Sequence, residues 1–109
     1  MFPKRDRLKK HEAFQEVFRR GKPFFFGGIG CRILTGQEQT RIGLTVTKKA
    51  YPRAVDRNRA KRLFAEAVRA NRKDIPSDTH IVFFLGKPLE TLSLDVFDRA
   101  ISMIFRNMR

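Results

Sequence analysis

The chain has no tryptophan, one tyrosine, one cysteine and two histidines among its 109 residues. Cys31 stands alone, which excludes an internal disulfide and any cysteine-rich metal site and fits a reducing, cytoplasmic setting. Long apolar runs are missing as well. None approaches the roughly 18–20 residues of a membrane span. The start, Met1-Phe2-Pro3-Lys4-Arg5-Asp6, lacks the apolar core of a signal peptide. Acids are scarce: 11 Asp and Glu face 24 Lys and Arg, giving a net charge of +13. Such a charge on a small domain points first to nucleic acid and second to an anionic membrane surface. Eleven Phe and a hydrophobic content of 41% support one globular domain over residues 1–109 instead of a disordered basic tail.

The same scarcity argues against catalysis by the chain itself. A protein nuclease needs paired histidines or a carboxylate cluster holding a divalent metal near the scissile phosphate. His11 falls on a basic arm and His80 at a strand start, while Asp56 and Glu66 lie among Lys and Arg and Asp95 and Asp98 on a C-terminal helix. No Walker, nucleophile-elbow or zinc pattern is present. No catalytic residue and no metal ligand is assigned.

What is abundant is positive charge in one place. Residues 48–73 carry ten of the 24 Lys and Arg against two acids, Asp56 and Glu66, a net of +8. Ala60, Leu63, Phe64, Ala67 and Val68 recur on one side of a helix turning about 100° per residue. Asn58, Lys61, Arg62, Ala65, Arg69 and Arg72 fall opposite. A solvated helix normally mixes signs at four-residue spacing. The uncompensated stripe here repels itself, and a bound polyanion would relieve that cost.

Around this stretch, residues 1–10 read as a loose basic arm. Glu12 to Gly21 read as a short helix, with Phe14, Val17 and Phe18 on one side and Gly21 ending it. Phe14 and Phe18 fit either a core or a binding surface. Residues 22–28 read as a turn, 29–34 as a half-buried strand, 35–40 as a polar hairpin loop and 41–47 as a second strand. In that second strand Ile42, Leu44 and Val46 form one face. Gly43, Thr45 and Thr47 form a small, hydroxylated opposite face, which is either plain solvent surface or room for a ligand. His80–Leu85 reads as a central apolar strand. A closing amphipathic helix runs through Leu94, Phe97, Ala100, Ile101, Ile104, Phe105 and Met108, with Ser93 as its N-cap. Residues 74–109 are net −1 and read as scaffold.

At Arg57-Asn58-Arg59-Ala60-Lys61-Arg62-Leu63 the sequence resembles the protein component of bacterial ribonuclease P. The family's upstream strand end is matched by Gly43-Leu44-Thr45-Val46-Thr47-Lys48-Lys49. Its N-terminal Phe-x-x-x-Phe helix ending at Gly is matched by Phe14, Phe18 and Gly21. Three motifs in order and spacing extend over about 100 residues of the chain.

The resemblance implies an α/β (α+β) two-layer sandwich. It has a small mixed sheet, a basic helix in a left-handed crossover against the usual right-handed rule, a short N-terminal helix and an amphipathic C-terminal one. It implies a protein subunit that binds the catalytic ribonuclease P RNA and the single-stranded 5′ leader of precursor tRNA. The RNA and its Mg²⁺ ions perform the hydrolysis, and the protein alone binds no cofactor. Carried over by residue, Lys48, Lys49, Arg53, Arg57, Asn58, Arg59, Lys61, Arg62 and Arg69 are the RNA-binding set, and Phe14, Phe18, Arg32, Thr45 and Thr47 line the leader cleft. Arg57 and Arg59 flank the apolar stripe, so one of them can serve the local fold instead. Gly30 and Arg32 stand where the family commonly has an aromatic, and Phe24 to Phe26 are candidates to replace it. The expected protein is cytoplasmic, monomeric outside the holoenzyme, and free of membrane. A structural ribosomal protein is the alternative. It explains the charge, though not the joint occurrence of the three motifs. A helix-turn-helix is disfavoured because strands flank the basic helix, and a membrane-surface helix because Leu63, Phe64 and Val68 are needed for the core.

Overall fold

The computed structural model describes Leu8 and residues 11–107, so the basic arm expected over residues 1–10 lies outside the described residues except for Leu8, as does Met108. In order come α1 (His11–Arg20), β1 (Lys22–Phe26), β2 (Ile29–Leu34), β3 (Arg41–Val46), α2 (Ala54–Ala70), a 3-10 turn (Arg72–Asp74), β4 (His80–Leu85) and α3 (Leu94–Asn107). The strands form one mixed sheet in the order β1-β2-β4-β3. β1 pairs with β2 and β2 with β4 in antiparallel fashion, while β3 and β4 run parallel. Parallel neighbours cannot be joined by a tight turn, so the chain between them crosses over through α2.

Two expectations are corrected here. Residues 22–26 are a strand, not part of a turn. Pro23 is tolerated because β1 is an edge strand. Gly27 and Gly28, with φ of 58° and 84°, make the two-residue hairpin turn that follows. Residues 35–40 do not close a hairpin, because β4 inserts between β2 and β3 and pairs with the facing edge of each. Periodicity within a strand carries no information about its neighbours.

One sheet face packs on α2 and α3. Phe64 meets Phe83 and Phe97 edge-on at centroid distances of 5.0 and 6.0 Å, and Phe83 meets Phe105 at 6.2 Å. Ile29, Ile33, Ile42, Ile81, Leu85, Ile101 and Ile104 fill the space around them. Cys31 is buried there, and loss of solvent holds its thiol protonated well above the ordinary thiol range. Ala65 is buried too, contrary to its expected place on the polar side of α2. The covered arc of α2 is wider than its apolar stripe because the helix lies against both α3 and the β3 side of the sheet.

The helix ends at Ala70 with Asn71 as its C-cap, just short of Arg72, the last residue of the stripe. The Asn71 amide donates to Ala67 O at 2.8 Å and to Asp98 Oδ1 at 2.7 Å, and it accepts from Ser102 Oγ at 3.1 Å. It therefore closes α2 and fastens it to α3. Ser93 caps α3 as expected, its hydroxyl accepting from the Val96 N–H at 3.3 Å.

Among the described residues, the other face carries α1 and Leu8 alone. Val17, Leu34, Val82 and Leu8 form a small second core beneath them. The Leu8 N–H donates to Ile42 O at 2.9 Å, pinning that residue to the free edge of β3.

Candidate nucleic-acid interface

Pleating and register place specific side chains in rows across the α1 face, since residues two apart on a strand share a face. One row reads Pro23, Arg32, Val82, Gly43; the next reads Phe25, Gly30, Phe84, Thr45. α1 lies over the first of these and leaves the second as an open floor, with Phe18 at its wall. Each position follows from local chemistry.

Phe14 lies flat on β3 because Gly43 has no side chain: a Cβ there would stand 2.6 Å from the ring tip. Its ring is half-buried against the second core. Phe18, one turn on, is 37% exposed and leans on Phe84 at 5.8 Å. The two rings that the sequence left open thus divide: Phe14 holds α1 to the sheet, and Phe18 faces the cleft.

Arg32 lies on the expected face, yet its guanidinium is committed. Nη1 donates to the Phe18 carbonyl at 3.1 Å and approaches the Gly21 carbonyl at 3.5 Å. A cation at the C-terminus of α1 satisfies orphan carbonyls and complements the helix dipole. Its Nε is buried without a partner among the described residues. Arg32 thereby works as the bolt under α1.

Thr45 stands in the open row. The Thr47 hydroxyl is engaged locally, accepting from the Ala50 N–H at 3.1 Å and donating to Leu85 O at 3.4 Å, so it shapes the turn that carries Lys48 and Lys49. Those two lysines are exposed. Phe24 and Phe26 pack on the large core, and Phe25 alone points to the cleft face.

Phe84 is the residue the sequence reading missed. Strict alternation from His80 through Val82 to Phe84 would have found it, but a strand apolar on both faces hides which residues look outward.

At the head of α2, Arg57 turns back on its own turn. Its Nη1 donates to the Tyr51 and Pro52 carbonyls at 2.9 and 2.8 Å. The Tyr51 ring is buried, and its hydroxyl accepts from the Leu89 N–H at 2.8 Å. Of the two arginines flanking the stripe, Arg57 is therefore the one that stabilises the fold locally. Arg53, Asn58, Arg59, Lys61, Arg62 and Arg69 are exposed. They form a cationic surface that starts beside the end of β3, a few residues beyond Thr45, and continues along α2.

At the far end of the cleft His80 pairs in register with Arg41. Burial lowers its pKa, the Arg41 charge lowers it further, and Glu16 opposes both. Among the described residues no three His, Cys, Asp or Glu side chains come together as metal ligands. No helix among them is long and apolar enough to cross a membrane. The arrangement offers a cationic helix and an aromatic-floored groove, which suit binding.

The family model for ribonuclease P matches residues 2–109. The chain belongs to the ribonuclease P protein family. Curated relatives named ribonuclease P protein component include one from Dictyoglomus turgidum, 36% identical over 106 residues, covering 96% of this chain and 87% of the relative. Another, from Bacillus velezensis, is 37% identical over 105 residues and covers 94% and 89%. Among solved structures, the ribonuclease P protein of Staphylococcus aureus superimposes with a TM-score of 0.81 at 20% identity, covering 95% of both chains. That of Thermotoga maritima gives 0.80 at 24% identity, covering 94% and 97%. These likenesses establish the three-helix, four-strand α+β fold of the family. Membership makes the chain a component of a ribonuclease P enzyme, partnered with its RNA, and replaces the ribosomal alternative.

Proposed function

We propose that the protein anchors the catalytic ribonuclease P RNA along α2 and holds the 5′ leader of precursor tRNA in the groove between α1 and the sheet. One observation carries this reading: a row of aromatic and hydroxyl groups lies open on the sheet beside α1, next to a helix whose exposed side is cationic. Bases stack on aromatic rings without regard to sequence, as a leader of variable sequence requires. Lys48, Lys49, Arg53, Asn58, Arg59, Lys61, Arg62 and Arg69 meet phosphates of RNA, while Phe18 and Thr45 meet the leader. Phe14, Arg32 and Thr47 set the groove's walls, and Arg57 sets the turn that presents α2. Hydrolysis falls to the RNA subunit with its Mg²⁺, and the protein contributes affinity for precursor over product. It acts as a cytoplasmic monomer until it joins the RNA.

The test is reconstitution with a bacterial ribonuclease P RNA, reading precursor-tRNA cleavage at low Mg²⁺. Stimulation is expected to be larger for substrates with a leader than for those cut to a single leader nucleotide. Absence of any stimulation rejects the proposal.

A further inference from the structure

Among the described residues Phe25 is the most exposed large apolar side chain, at 69%. Folding supplies no reason for it. Phe24 and Phe26 on the same strand already pack against the core, and β1 needs nothing more on its outer face. An exposed phenyl ring is common enough alone, but this one is not alone. It meets Phe84 edge-on at 6.0 Å and 87°, and Phe84 meets Phe18 at 5.8 Å and 48°. Gly30 lies between them in the row, and a Cβ there would overlap the Phe84 ring. The missing side chain on β2 is therefore what lets Phe84 lie across that strand and reach Phe25. The result is a continuous aromatic ridge running from α1 to the edge of the sheet, at right angles to the strands.

We infer that Phe25 is a second base-stacking platform, extending the leader groove across β2 to the β1 edge and holding a nucleotide beyond those seated between Phe18 and Thr45. This rests on the leader reading above. The row from Thr45 to Phe25 crosses three strand spacings, roughly 14 Å, whereas a stacked strand advances about 3.4 Å per nucleotide. The floor is thus longer than one or two bases need. Arg19, exposed in the last turn of α1 next to Phe18, supplies a cation for the phosphate backbone at the α1 end of the ridge. A lipid or protein partner would call for a broad apolar patch. Here the apolar surface is one residue wide with a cation at its α1 end, which favours a single-stranded nucleic acid.

The experiment measures affinity of the reconstituted holoenzyme for precursor tRNAs whose leaders grow by one nucleotide at a time. It compares the wild type with Phe25→Ala, Phe25→Trp and Phe18→Ala. Phe25→Ala should plateau one or two nucleotides sooner and lose about five- to tenfold in affinity for the longest leader, with no loss for the shortest. Phe25→Trp should keep the wild-type length profile, and its emission should be quenched by long-leader precursor and not by mature tRNA. An unchanged profile in Phe25→Ala, alongside a loss in Phe18→Ala, overturns the extension and leaves the groove reading intact. If neither variant responds to the leader, the groove reading fails and takes the extension with it. Quenching of Phe25→Trp by the catalytic RNA alone would seat the ring against that subunit and also overturn the inference.

Discussion

Phe14 and Phe18 occupy one turn of one helix, and the structure separates their consequences. Full truncation of a buried phenylalanine costs about 3–5 kcal/mol. The Phe14 ring is half-buried, wedged over Gly43 and against the Val17, Leu34 and Val82 cluster, so roughly half of that range applies, ~2 kcal/mol. For a chain of this size that lowers Tm by about 10 °C. Phe18 is 37% exposed and touches Phe84 at 5.8 Å, so Phe18→Ala should cost under about 1 kcal/mol of stability. Its effect belongs to binding, where loss of a base–aromatic stack is worth about 1–3 kcal/mol. Thermal unfolding of both variants, with affinities of the reconstituted enzyme for precursor and for mature tRNA, reads the two effects apart. Phe14→Ala should lower Tm. Phe18→Ala should leave Tm nearly unchanged and weaken precursor binding while sparing mature tRNA. The reasoning is refuted if Phe18→Ala weakens both RNAs equally, or if Phe14→Ala leaves Tm where it was.

Lys61→Ala and Arg62→Ala should each reduce the salt slope of RNA binding by close to one ion, about 0.7–0.9 in log–log terms, with Tm unmoved; an unaltered slope means that side chain does not meet phosphate. Arg57→Ala should behave differently from its neighbours, lowering stability by about 1–2 kcal/mol through its two lost charge-assisted bonds to the Tyr51 and Pro52 carbonyls, as urea denaturation would register. His80 is held below its ordinary pKa in the fold. The unfolded chain therefore binds a proton first as the pH drops, and stability should decline as pH falls below about 6.5. His80→Gln should flatten that part of the stability–pH curve, and an unchanged curve would remove His80 as its cause.

The sequence by itself determined the elements whose physics is local. Helical periodicity around Phe64 and Phe97, the Ser93 cap, and the alternation of Ile42, Leu44 and Val46 all rest on neighbours a few residues away, and they are visible without a fold. The charge of α2 is equally local, since ten cations against two acids in residues 48–73 remain a basic surface in any arrangement that exposes them. Family motifs added the partner.

Tertiary structure alone decided which groups face which. β4 inserts between β2 and β3, a pairing made across some 40 residues of chain that no periodicity encodes. That insertion puts Phe84 beside Gly30 and Thr45 and so builds the open row. The docking of α1 on the sheet likewise commits Arg32, read from the chain as a cleft contact, to the Phe18 and Gly21 carbonyls, and of Arg57 and Arg59 it is Arg57 that turns to backbone carbonyls. An arginine's donors go to whichever acceptor the fold brings within about 3 Å, and that distance is a property of packing. With no tryptophan and one tyrosine in the chain, phenylalanine supplies both core and binding surface. Helical periodicity marks Phe64 and Phe97 for the core, but only the fold turns Phe83 inward and leaves Phe18 and Phe25 open to solvent.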